Sequence, residues 1–157
     1  IPSLAKTLEN SISKSFICKV YFHQNDNHMF YRQISYVEPF FVKHFKKNPF
    51  LNKTRKSSID FGYSFLDAIS TKIIIPSDYL IDEMPDNKYI NLSENSGYFN
   101  FRTEVIKDTI TQNQHITIES KLNIDRTLYN VTEYANLQTF FSEIIKKNNE
   151  IITLNKF

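Results

Sequence analysis

Few residues in this chain combine the types and spacing that chemistry requires. The single cysteine, Cys18, would act as a nucleophile only as a thiolate, with a histidine and a carboxylate beside it. It alternates with Phe16, Val20 and Phe22 on the apolar side of an extended stretch. A thiol in that company is an inert core residue, with nothing to lower its pKa. His23, Asp26 and His28 could hold a metal across a turn, but their spacing fits neither a helical i,i+4 pair nor a zinc pattern. Asp78, Asp82, Glu83 and Asp86 lack the Asx-Gly arrangement of a calcium loop. Lys43, Lys46, Lys47, Lys53, Arg55 and Lys56 crowd one basic segment beside Phe45 and Phe50. Phosphate binding would use such a segment, yet the net charge is only +2, and a solvated loop accounts for the run. Two glycines leave no room for a glycine-rich phosphate loop, and no G-x-S-x-G elbow occurs. Asn52, Asn91 and Asn130 open glycosylation triplets, which an asparagine-rich chain produces by chance. The expectation is no catalytic residue, no cofactor and no metal.

The elements that would carry these residues are mostly extended. Residues 15–23 alternate with period two, and Asn25, Asp26 and Asn27 form a turn into a second alternating stretch ending at Ile34. Residues 36–45 are extended but broken at Pro39, which suits an edge. Ile69, Thr71, Ile73 and Ile75 share a face before Pro76. A short element with Pro85 and a brief strand near residues 89–92 lead to the turn at Asn95, Ser96 and Gly97. Phe99, Phe101, Thr103 and Val105 oppose Tyr98, Asn100, Arg102 and Glu104. Ile116, Ile118, Ser120, Leu122 and Ile124 then share one face of a further strand.

Helical periods occur twice. Ser3 can cap a short helix over residues 3–12, with Leu4, Leu8 and Ile12 on one face. Tyr134, Leu137, Phe141 and Ile144, flanked by Phe140 and Ile145, form the wide apolar stripe of a stronger helix. Glu133 lies three residues after Asn130, as in a capping box, and Lys146 and Lys147 suit the negative helix end. Residues 151–154 close the chain as a strand. Strands do not alternate with helices, which excludes a parallel doubly wound sheet. The predicted fold is mainly β, an antiparallel β-sandwich with one amphipathic α-helix near the C-terminus. Residues 1–13 read as a linker or a short helix from a preceding domain, and residues 14–157 as the sandwich.

Size and composition agree. A chain of 157 residues makes one domain that buries roughly 70% of its unfolded surface and needs no disulfide. The balance of 14 Phe and 9 Tyr with no Trp favours pleated, half-buried surfaces. A charge of +2 argues against nucleic acid as a partner, and no apolar run approaches the roughly 20 residues of a membrane span. The start at Ile1 and Pro2, without a signal-like segment, reads as part of a longer polypeptide.

The chain centres on residues 48–63, where Asn48, Pro49 and Phe50 are followed by Arg55 and by Ile59, Asp60, Phe61, Gly62 and Tyr63. The segment mixes turn, aromatic and charged residues more densely than any other. Arg55 is expected to pair with Asp60 or a nearby carbonyl, with Phe50 and Phe61 packed inward. Downstream come the strand ending at Pro76, then Tyr79, Leu80, Ile81, Asp82, Glu83, Met84 and Pro85. Phe99, Asn100 and Phe101 follow, then the run from Leu122 through Arg126 to Tyr129, then Glu133 and Tyr134, and finally Phe140 and Phe141. In this order the motifs resemble the DUF3858 domain, over about residues 36–157.

That domain lies at the C-terminal end of bacterial transglutaminase-like proteins, typically from Bacteroidetes. The resemblance implies a sandwich-like accessory domain that supports or positions a preceding transglutaminase-like domain of the same polypeptide. It also implies a periplasmic or cell-surface setting. The Cys-His-Asp set of such proteins belongs to the catalytic domain, and Cys18 does not match its motif. The alternative is a module that binds a glycan on exposed Tyr21, Tyr31 or Tyr98, or a peptide along a sheet edge.

Overall fold

The period-two stretches fold as strands. A computed structural model describes residues 11–17, 34–40, 43, 45–108 and 113–157. Ten strands and one long helix occur among them. They are β1 Ser11–Ile17, β2 Ile34–Val37, β3 Ile59–Asp60, β4 Phe65–Ile75, β5 Tyr79–Glu83, β6 Lys88–Leu92, β7 Gly97–Lys107, β8 Gln114–Ile124, β9 Leu128–Tyr129, helix α1 Tyr134–Asn148 and β10 Ile152–Lys156.

A five-stranded sheet in the order β1-β4-β8-β7-β6 forms the floor of the domain. Long antiparallel ladders run from Phe65 opposite Ile124 to Ile75 opposite Gln114, and from Gly97 opposite Ile124 to Lys107 opposite Gln114. This register places Ile69, Ile73, Phe99, Phe101, Ile118 and Leu122 on one buried face, as alternation predicts. The exception to antiparallel pairing is β1, which runs parallel to β4. Its first residue, Ser11, lies before the expected boundary at residue 14, so residues 11 and 12 are strand and not the end of a helix. Residues 3–10 and the expected hairpin over residues 18–33 lie outside the described residues.

The buried face is covered by a composite layer. A three-stranded antiparallel sheet, β2-β10-β5, contributes Val37, Ile152, Leu154 and Tyr79 to the core. Its edge strand β2 stops before Pro39, where a missing amide hydrogen would interrupt a ladder. Helix α1 adds Tyr134, Leu137, Phe140, Phe141 and Ile144. Asn148 accepts a hydrogen bond from Ser120 at 3.1 Å, and Lys88 Nζ donates to Glu143 at 2.5 Å, fastening the helix across β8 and β6.

The helix begins as the sequence predicts. The Asn130–Glu133 capping box forms, with the Asn130 amide donating to Glu133 Oε2 at 2.7 Å, and a 3-10 turn, Val131–Glu133, leads into α1. Its far end differs from expectation. Lys147 is only 4% exposed, its ammonium 5.0 Å above the Phe101 ring and 2.5 Å from Glu150. The helix turns this residue inward, where its stem covers core surface while the head stays paired.

The two glycines have separate roles. At Gly97 a Cβ would lie 2.4 Å from the Asn123 carbonyl oxygen, so only glycine lets β7 meet β8 there. The left-handed residues of the β6–β7 turn are Glu94 and Asn95, an arrangement that matches strand twist in hairpins. Gly62 adopts φ +77 in open space, a conformation that a Cβ disfavours.

Candidate functional site

Residues 48–52 are clamped onto helix α1. Asn48 Oδ1 accepts the Phe50 amide at 2.8 Å, an Asx turn. Asn48 Nδ2 donates to the Gln138 carbonyl and to Ser142 Oγ, both at 2.8 Å. The helix answers with its own donors. Gln138 Nε2 reaches the Phe50 carbonyl at 2.8 Å, and the Tyr134 hydroxyl reaches the Asn52 carbonyl at 2.8 Å. Tyr134, Gln138 and Ser142 recur every four residues and therefore share one helix face. Phe50, 6% exposed, inserts between loop and helix. Its ring lies 5.2 Å from Phe141, 5.8 Å from Tyr134 and 6.2 Å from Phe61, each edge to face. This is the favoured arrangement of aromatic quadrupoles.

The rest of the motif stiffens the chain. Arg55 does not pair with Asp60: its Nε donates to the Ser57 carbonyl at 3.1 Å. Asp60 Oδ1 instead accepts the Gly62 amide at 2.8 Å, closing the turn in which Gly62 is left-handed. Phe61 is half-buried among Phe50, Phe65, Tyr129 and Phe141. Pro49 and Tyr63 face solvent. Asn48, Phe50, Asp60 and Phe61 thus make the structural contacts, while the Arg55 head group stays at the surface.

Between the clamped loop and α1 runs a shallow groove lined by Asn48, Phe50, Leu51, Gln138, Thr139 and Ser142. Leu51 stands at its lip, 75% exposed. The sequence gives no signal for the roles of Gln138 and Ser142. Their partners lie about ninety positions away in the chain, and the only local cue is their four-residue spacing from Tyr134.

A second polar cluster joins the β6–β7 turn to the start of the helix. The Ser96 carbonyl accepts the Asp125 amide at 2.9 Å, the Arg126 amide at 3.2 Å and the Tyr129 hydroxyl at 3.1 Å. The Arg126 guanidinium binds Glu133 and, at 2.9 Å, Glu94, and lies 4.5 Å from the Tyr129 ring centre. The Asn130 amide, aided by Arg126, holds the Glu133 carboxyl below its ordinary range. The Lys88 hydrogen bond does the same for Glu143. Hydrogen bonds to the charged form explain both directions.

Other expected sites separate or fall outside. Cys18, Tyr21, His23, Asp26, His28 and Tyr31 lie outside the described residues. Asp78 pairs with Lys156 at 3.4 Å, whereas Asp82, Glu83 and Asp86 face solvent. No group of three or more acidic, His or Cys side chains able to hold a metal occurs among the described residues. Tyr98 stacks on Tyr89 at 5.7 Å with rings 20° apart, and Tyr89 is 61% exposed on the outer face of the large sheet.

Residues 28–154 match the family described as a domain of unknown function with a solved structure, DUF3858. The chain belongs to the DUF3858 family. No curated protein matches it in sequence. This DUF3858 domain also resembles part of a crystal structure, at 2.00 Å, of "a putative protease" from Parabacteroides distasonis ATCC 8503. The TM-score is 0.57 at 8% identity, a likeness of fold. The match covers 78% of this chain and 23% of that protein, so the chain spans about a quarter of the larger molecule. No helix among the described residues is long and apolar enough to cross a membrane.

Proposed function

We propose that this DUF3858 domain is a non-catalytic accessory module that supports or positions a transglutaminase-like catalytic neighbour in one polypeptide. One observation carries the reading: Asn48 and Asp60, polar side chains of residues 48–63, are engaged in holding the domain together. Asn48 uses both ends of its amide on the loop and the helix, and Asp60 closes a turn. A side chain so occupied is poorly placed to take a proton or attack a substrate, since a catalytic group needs a free position facing a reacting atom. The likeness to about a quarter of a longer protein is in keeping with a module among other domains. An exported setting is part of the same proposal, and cell fractionation of the parent polypeptide tests it.

The functional test uses the parent polypeptide with and without residues 28–154. Loss of stability or of substrate turnover on excision is expected, without loss of the catalytic residues themselves. Unchanged stability, binding and turnover would remove the accessory role.

The Tyr89–Tyr98 pair favours a second reading, in which the module binds glycans. The exposed Tyr89 ring, stacked on the half-buried Tyr98, offers a flat apolar face of the kind that sugar rings cover. A glycan array that gives the same hits for the wild type and for Tyr89→Ala would dispose of it.

A further inference from the structure

Charge is distributed unevenly along this chain. Residues 39–59 hold six Lys or Arg and no Asp or Glu. With +2 overall and +6 in this stretch, −4 is left for the remainder. Lys88, Lys121, Arg126, Lys147 and Lys156 each have an acidic partner, and Lys43 pairs with Glu38. By contrast, Lys46, Lys47, Lys53, Arg55 and Lys56 are exposed, with no acidic partner among the described residues.

The geometry points to the groove between this loop and α1 as a docking surface for an acidic, extended polypeptide segment carrying an apolar side chain. Cations flank the groove in sequence, although its lining carries none. Lys47 precedes Asn48 by one residue and Lys53 follows Leu51 by two. Lys146 follows Ser142 by four residues, on the same helix face. Glu143, the residue after Ser142, is paired with Lys88 at 2.5 Å and also attracts Lys146. Gln138 Nε2 and the Thr139 hydroxyl already donate within the domain, so the lining offers oxygen acceptors of Gln138, Thr139 and Ser142 to a peptide backbone. Leu51, already exposed at the lip, supplies the apolar contact. The loop is preorganised by its clamp, so a partner need not supply the ordering entropy. Nucleic acid fits less well, because strand binding relies on exposed rings for stacking and Phe50 is buried in the floor. This surface is independent of the accessory role and of the Tyr89 face.

Fluorescence anisotropy on the 157-residue chain tests the proposal with three labelled probes. One is a short peptide of aspartate and glutamate around a central leucine, one is its asparagine and glutamine analogue, and one is a single-stranded DNA of similar length. The acidic peptide should bind at least about tenfold more tightly than the neutral one at low salt, because paired potentials steer and hold such contacts. Lys47→Glu with Lys53→Glu should weaken it by about tenfold, while the remote pair Lys72→Glu with Lys107→Glu leaves it unchanged. Leu51→Ser should weaken it several-fold, and thermal melts confirm that each variant folds. The proposal is overturned by absent peptide binding, by equal loss in the remote variant, by DNA binding as tight as the peptide's, or by sedimentation showing that the loop joins two copies of the chain.

Discussion

Asn48 concentrates the account at the residue scale. One amide satisfies the Phe50 amide, the Gln138 carbonyl and the Ser142 hydroxyl. Asn48→Ala should therefore destabilise the domain by about 1–3 kcal/mol, since several polar groups lose their partner together. Chemical denaturation checks this, and Pro49→Ala, at an exposed site, is the control with little effect. Glu133 gives a pH signature. Its folded-state pKa is depressed, so its contribution is fully present above the unfolded value of about 4.3 and is lost as pH falls through the folded one. Glu133→Gln retains an acceptor for the Asn130 amide but not the titration. The variant should show a shallower loss of stability on acidification than the wild type, measured by melting temperature from pH 7 downward.

Among the elements, glycine substitutions separate two physical causes. Gly97→Ala drives a methyl into the Asn123 carbonyl and must part β7 from β8. A cost of about 1–3 kcal/mol or more is expected from such overpacking. Gly62→Ala meets no atom within 4 Å and costs about 1–2 kcal/mol through its left-handed backbone. Gly62→Asn should recover part of that loss, whereas Gly97→Asn should recover none; paired melts decide. Elements with strong periods were legible in the sequence. The shared faces of β4, β7 and β8, the stripe of α1 and its capping box all follow from residue spacing. The two-residue strands β3 and β9 carry no period, and the parallel pairing of β1 with β4 is non-local. The inward turn of Lys147 depends on Phe101, a residue of another element, and its position near the helix end could not reveal it.

At the scale of the whole molecule, a long sheet is covered on one face by a composite layer, and residues 48–52 are tied to the helix of that layer. Phe50 is buried and Phe61 half-buried, as their sequence context predicts. The sequence allows Arg55 two partners, Asp60 or a nearby carbonyl, and in the structure it is the Ser57 carbonyl. The helix residues that complete the clamp were invisible, because a hydrogen bond between positions about ninety apart leaves no local pattern. With the clamp closed, the exposed cations of the basic loop stand on a fixed base. Amide hydrogen exchange tests the central claim most directly. The Phe50 amide should exchange as slowly as the core amides of α1 in the wild type, and Asn48→Ala should speed it selectively while the β7–β8 ladder stays protected. Fast exchange of Phe50 in the wild type, or no change on removing Asn48, would contradict the account.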